Sequence, residues 1–486
     1  MSAPTGYEAV IGLEIHVQLR TRTKMFCGCE ISFGEEPNLH TCPVCLAHPG
    51  TLPVTNEQAV RYALQIAIAL GCDITPRSIF HRKNYFYPDI PKGYQISQYD
   101  IPLATGGRLG EVRIERVHLE EDTAKMIHVG ESGRIHGSAT SLVDFNRSGT
   151  PLVEIVTEPD VRDPAQAREW LQLLRTTIKQ IGASDVNMEE GSLRCDANVS
   201  LRRPGDSELG VKSELKNMNS FRFLERGIAA ELDRQAALLD SGQALVQETL
   251  HFDPRTGSLT ALRSKEYAHD YRYFPEPDLV PLAPTEQMVA EAREALPELP
   301  AERRERYLSE FELSEEAARR LAFNSELGDY FERAVAASAG VDGVTPRALA
   351  NWVTGELVAR LREAGQSDLD PATSKVNPEA LANLVGMVES HQVTSAAARQ
   401  VLAAMVEGGG DPAKIVEREG LAQMGDSGEL DAIVEAAIAA NPSAADQVRS
   451  GNAKATGPIV GAVMRETKGR ADGGEVTRLI RAKLGA

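Results

Sequence analysis

AVIGLEIHVQLRT, residues 9–21, sets Glu14, His16 and Gln18 at alternate positions, with Leu13, Ile15, Val17 and Leu19 between them. Alternation with period two marks a strand with one face on a core and one polar face. The same pattern recurs downstream. In SLRCDANVSLR (192–202), Arg194, Asp196, Asn198 and Ser200 alternate with Leu193, Cys195, Ala197 and Val199. In GVKSELKN (210–217), Lys212, Glu214 and Lys216 share a face. No long βαβ repeat interrupts these strands, so the alternation predicts a mostly antiparallel sheet.

Working outward, Asp163 as cap, Pro164 behind it and apolar residues from Ala167 to Ile181 predict a helix ending at Gly182. A second helix is expected over 219–240. The texture changes at LPELPAERRERY (296–307), and helices are expected over 306–322, 346–364 and 377–390. EGGGDPAK (407–414) marks a second change. The expected layout is α+β: a mixed, mostly antiparallel domain over 1–295, an all-α domain over 296–410, and a helical tail domain over 411–486.

The 486 residues carry 52 basic and 70 acidic side chains, a net charge of −18. That balance excludes a protein held on nucleic acid by bulk positive charge, but not one with a local basic patch. No apolar run is long enough to span a bilayer, and the N-terminus lacks a signal-peptide pattern, so a cytoplasmic protein is expected with no membrane partner. Of six cysteines, Cys27, Cys29, Cys42 and Cys45 crowd into one short stretch. Four thiolates at C-x-C and C-x2-C spacing suit a closed, structural tetrahedral zinc; the plainer alternative is four free thiols.

The polar strand faces offer a second constellation. Glu14 and His16 share one strand face. Glu120, Glu121 and Asp122 follow one another in VHLEEDTAK. Glu154 lies between Leu152 and Val156 on an otherwise apolar face. A lone carboxylate there is costly unless it is paired or bound to metal. Together Glu14, His16, Glu121, Glu154 and Asp196 read as a magnesium site, against the alternative of a solvated sheet face. HRKNYFYPDIPKGYQISQYD (81–100) and RSKEYAHDYRYFPEPD (263–278) mix cations with aromatics, the latter carrying Arg263, Lys265, His269 and Arg272. Such mixtures fit single-stranded RNA ends, or else a packed tyrosine-rich loop. There is no G-x-x-x-x-G-K-[ST] loop, no G-x-G-x-x-G and no G-x-S-x-G, so any nucleotide phosphates must be held by another device.

LVDFNRSGTPLVEIVTEPD (142–160) resembles the signature of the GatB family, the B subunits of the tRNA-dependent amidotransferases. IGLEIHVQL, NYFYPDIPKGYQISQYD, HLEEDTAK, NMEEGSLRCDANVS, ELKNMNSFRF and RSKEYAHDYRYFPEPDL resemble further family segments, and 451–484 resembles the YqeY-like tail domain. The resemblance implies a cradle fold, a helical domain and a tail. It implies a complex with an amidase, the family's A subunit, and with a small C subunit. There, the B subunit would bind misacylated Glu-tRNA(Gln) or Asp-tRNA(Asn) and phosphorylate the side-chain carboxylate with ATP and magnesium. Channelled ammonia would then displace the phosphate. On the family pattern His16, Glu121 and Glu154 match metal ligands, and Glu14 and Asp196 match further metal or phosphate-site positions. Glu121 is also expected to face the ammonia channel mouth. Lys83, Tyr85, Arg194, Lys212 and Lys216 are the residues expected to bind ATP, and Lys454, Arg465, Lys468, Arg470 and Arg478 are expected to contact tRNA. A non-enzymatic tRNA-binding scaffold is the competing reading.

Overall fold

The computed structural model describes residues 4, 6–129, 138–216, 218–264, 271–365, 371–424 and 427–485. Lys265 and His269, the Arg263 side chain and residues 130–137 lie outside what is described. The chain divides into two compact units, Met1–Leu299 and Pro300–Ala486.

The first unit is built on a ten-stranded sheet. Five of its strands matter most: β1 (Glu8–Gln18), β2 (Val112–Glu121), β3 (Pro151–Thr157), β4 (Leu193–Arg202) and β5 (Ser213–Lys216). They lie side by side in the order β5–β4–β1–β3–β2, all antiparallel. One parallel pair, β5 with Glu248–Asp253, makes the sheet mixed. Because successive side chains alternate, Leu13, Ile15, Val17, Leu119, Val153, Ile155, Leu193 and Ala197 are buried on one face. Helices cover that face, among them Glu57–Ala69 and the two that follow. In α1 (Pro164–Ile181), Asp163 accepts the Gln166 N–H, and Gly182 ends the helix at φ 76°. In α2 (Phe221–Asp240), Ser220 accepts the Phe223 N–H. Trp170, Leu171, Leu174, Ile178, Leu224, Ile228 and Leu232 join the sheet residues in one core. The mostly antiparallel α+β class expected from the alternation is the class observed.

A three-stranded sheet orders Phe274–Pro275, His81–Asn84 and Tyr94–Ser97. It brings the two tyrosine-rich segments together: Lys83 Nζ stands 5.1 Å from the centre of the Tyr271 ring, and Tyr99 stacks on Tyr273 at 4.3 Å.

The second unit is helical and holds two apolar cores. The helix expected over 306–322 is two, Pro300–Ser309 and Glu315–Ala322. Glu312 at φ 50° turns the chain between them, and Ser314 caps the second by accepting the Ala317 N–H. The helix Pro412–Glu419 gives Ile415 and Val416 to the first core, which runs from Tyr307 to Leu421. The second core starts at Leu430. The change of core therefore falls between 421 and 430, after the glycine run at 408–410, because that run ends one packed helix and starts another.

Candidate functional site: a carboxylate–histidine cluster on the polar sheet face

Strand register assembles the site. His16 on β1 lies opposite Glu154 on β3, and Glu154 lies opposite His118 on β2. On the other side Glu14 lies opposite Asp196, and His16 opposite Arg194. Directly opposed residues of an antiparallel pair share a face. All of these therefore project away from the apolar core. His16 Nε2 is 3.4 Å from Glu154 Oε2, 3.6 Å from Glu120 Oε1 and 3.8 Å from Glu14 Oε1. His118 Nε2 is 3.1 Å from Glu154 Oε2 and 3.9 Å from Glu120 Oε2. Ser97 Oγ donates to Glu120 Oε2 at 3.2 Å. Glu14, His16 and Glu154 form one group able to close on a cation; His118, Glu120 and Glu154 form a second.

Three carboxylates this close cannot all ionise freely without nearby positive charge. Burial raises the Glu14 carboxyl, and Glu154 and Asp196 push it further. Burial also opposes ionisation of Glu154, but His118 and His16 outweigh it and hold that carboxyl well below the usual range. Burial discourages charge on His16, yet Glu154, Glu120 and Glu14 carry its pKa up to about 9. The field that keeps a proton on His16 is one that would attract a divalent cation in its place. Four donors from carboxylate and imidazole groups match hard-cation chemistry, and His118 Nδ1 is buried with no hydrogen-bond partner among the described residues. The donor set fits magnesium.

Glu121 is not in this cluster. The expectation grouped it with His16 and Glu154; Glu120 stands there instead. The reason is strand parity: Arg116, His118 and Glu120 share the polar face of β2, so Glu121 points the other way. It pairs closely with Lys92 and accepts the Ile96 N–H at 3.0 Å. Glu121 and Lys92 line a pocket with Lys24, Phe26, Cys27, Cys45, His48 and Ile96. Asp122, just past the end of β2, returns to the polar face, accepting from Gln18 Nε2 at 2.7 Å and Arg194 Nη2 at 2.9 Å.

The other expected positions scatter around the cluster. Lys216 donates to Asp196 at 3.1 Å and lies 3.1 Å from Glu214. Lys83 is held charged against burial by Glu120, Tyr273 and Glu154. Arg194 is on the polar face beside His16. Tyr85 OH donates to Asp89 at 2.6 Å, and Lys212 is exposed just before β5, so the geometry brings neither to the carboxylates. His118 has no place among the residues the sequence singled out, Glu120 stands there only as a neighbour of Glu121, and Lys92 only within a basic, aromatic segment. The alternation in VRIERVHLEE, taken one residue at a time, carries the signal for the first two.

A second ligand group lies on loops. The sulfurs of Cys27, Cys29, Cys42 and Cys45 all lie within 4.8 Å of one another. A hydrogen bond from Cys27 and the ammonium of Lys24 pull the Cys45 thiol down to about 4, whereas burial pushes Cys29 up to about 11. Lys24 is buried, with Nζ 3.7 Å from Cys45 Sγ and donating to the carbonyls of His40 and Phe145. A cation beside four converging thiols fits a metal–thiolate centre of net negative charge.

In the tail, Lys454, Arg465 and Lys468 are exposed and, among the described residues, have no acidic partner. Arg478 is spent on Glu475 at 2.6 Å, and Arg470 Nε donates to the Thr467 carbonyl. No described helix is long and apolar enough to cross a membrane.

Comparison with known proteins gives the family. A family model described as the GatB/GatE catalytic domain matches residues 9–290, and one described as the GatB domain matches 329–484. Among curated relatives, the B subunit of the aspartyl/glutamyl-tRNA(Asn/Gln) amidotransferase of Frankia casuarinae is 50% identical, covering 99% of this chain and 96% of that relative. Proteins of the same name from Persephonella marina and Brevibacillus brevis are 45% and 46% identical, each covering 98% of this chain and 99% of the relative. With both matches spanning its two units and its polar sheet face carrying the converging carboxylates, the chain belongs to the GatB/GatE family.

Proposed function

We infer that this chain is the B subunit of a tRNA-dependent amidotransferase, an enzyme that forms a carbon–nitrogen bond with glutamine as amide donor. The observation that carries the reading is the Glu14–His16–Glu120–Glu154 cluster, which sits inside the family match to the catalytic domain. An amidase (the A subunit) and a small C subunit are the partners, and Glu-tRNA(Gln), Asp-tRNA(Asn) or both are the substrates, in the cytoplasm.

A carboxylate resists attack by ammonia because its carbonyl is resonance-stabilised and anionic. In this reading an oxygen of the aminoacyl side chain attacks the γ-phosphorus of ATP. The bond to the β,γ-bridging oxygen breaks and ADP leaves. Ammonia nitrogen then attacks the acyl carbon, the bond to the phosphate oxygen breaks, and the surplus proton goes to a base. Magnesium held by Glu14, His16, Glu120 and Glu154 would neutralise the gathered oxyanions. Lys83 and Lys216 flank those ligands and bind phosphate oxygens. Glu121 and Lys92, on the opposite side of β2 from Glu120, stand where ammonia enters. Zinc on the four cysteines is structural. Lys454, Arg465 and Lys468 contact the tRNA backbone.

Amidation by the assembled complex tests this, with each misacylated tRNA offered separately, free ammonia supplied, and ATP present or absent. ATP-dependent product from ammonia alone is expected, because activation lies outside the glutaminase. A complex that amidates without ATP, or in which His16→Ala leaves the tRNA-dependent hydrolysis of ATP undiminished, returns this chain to a scaffold role.

A further inference from the structure

Asp122 is buried and fixed on both sides by the backbone: its N–H donates to the Thr150 carbonyl at 2.8 Å, and its carbonyl accepts from Gly149 N at 2.9 Å. A single oxygen, Oδ2, faces two guanidinium groups, Arg194 Nη2 at 2.9 Å and Arg147 Nε at 3.6 Å. Gln18 Nε2 also donates to it at 2.7 Å, so this oxygen is crowded with donors. Arg147 is clamped further by the carbonyls of Thr123 and Ala124, each at 2.9 Å. Those contacts use Nε and Nη2 of Arg147 and Nη2 of Arg194. Among the described residues, Nη1 of each has no partner, and both side chains are about one-third exposed (37%). Arg194 Nε is buried and also without a partner.

Two guanidinium groups against one carboxylate leave one positive charge uncompensated. Arg194 lies opposite His16 in the sheet, so this charge borders the carboxylate cluster. Glu14, Glu120 and Glu154 repel an anionic side chain wherever the cation they would hold does not bridge it. A carboxylate acceptor needs a cationic seat beside the cluster, and paired guanidinium groups offer parallel N–H donors for one. We propose that Arg147 and Arg194, aligned by Asp122, seat the free carboxylate of the aminoacyl side chain. Asp122 is a positioning residue in this arrangement. The seat rests on the amidotransferase reading above and adds to it which residues recognise the acceptor.

The test uses the assembled complex. Arg147→Met and Arg194→Met are each expected to lower kcat/KM for misacylated tRNA by about 10- to 100-fold while the KM for ATP stays within about twofold. Arg147→Lys, which keeps the charge, recovers part of the loss. A readout independent of turnover is the rate at which phenylglyoxal modifies the two arginines in the wild-type complex. Misacylated tRNA should slow that rate, whereas ATP and uncharged tRNA should not. Protection by ATP or by uncharged tRNA, or a matching rise in the KM for ATP, overturns the proposal in favour of a phosphate seat. Unchanged kinetics without protection overturns it in favour of a structural role. A wild-type complex with no ATP-dependent amidation removes the underlying reading instead, and the control reaction reports that separately.

Discussion

Among the described residues of the first unit, the cysteine group and the carboxylate–histidine cluster are assembled from very different lengths of chain. The four cysteines fall between positions 27 and 45, on loops with little regular structure. The carboxylate–histidine ligands run from position 14 to position 154, on three neighbouring strands. A strand fixes the direction of its side chains and the spacing to its neighbour, so His16, Glu154 and His118 are held in place without any ion. A loop fixes far less, so the four converging thiols owe less of their placement to the backbone. Rigid positioning suits a site that must admit substrate; a closed thiolate shell suits one that only holds chain together.

The sharpest way to break this contrast is at the strand site. Glu154→Gln in the assembled complex should cut ATP-dependent amidation by about 100-fold or more, with melting temperature little changed and glutamine hydrolysis by the amidase partner retained. An equal loss of folded protein would mean that the cluster is structural after all. Next comes the parity of β2. Glu120→Gln should impair amidation with glutamine and with free ammonia alike, by about 10- to 100-fold. Glu121→Gln should impair the glutamine-driven reaction more than the ammonia-driven one. Similar losses in both assays for both variants would erase the assigned difference between the two faces.

The loop site predicts a smaller effect on rate and a clear one on stability. Cys45→Ser should remove about one equivalent of bound zinc and lower the melting temperature by about 5 °C or more, while amidation at low temperature falls only severalfold. Wild-type protein free of zinc with four titratable thiols would refute the centre. The smallest effect is expected far from both. Arg465→Ala with Lys468→Ala should raise the KM for tRNA by about threefold and flatten its dependence on salt, leaving kcat unchanged.

Alternation exposed β1, β4 and the odd placement of Glu154, and cap-and-stop signals placed α1 within a residue. The cysteine group was legible from spacing, since its members are close in sequence. The choice between Glu120 and Glu121 was also written in VRIERVHLEE, in the parity of a single strand, although the family pattern drew attention to its neighbour. Asp122 and Arg147 gave no such signal. Their partnership depends on a loop at 145–150 folding back across the end of β2.

By itself the sequence determined which side chains face the core and which face away, because that follows from the local geometry of a strand or helix. It also determined the family, through long ordered segments. Only the tertiary structure decided that Glu154 opposes both His16 and His118, that three successive acidic residues serve three different surroundings, and that two arginines converge on one carboxylate oxygen. Those facts depend on register between strands distant along the chain. Register is settled by packing the whole apolar face at once, rather than by any one segment.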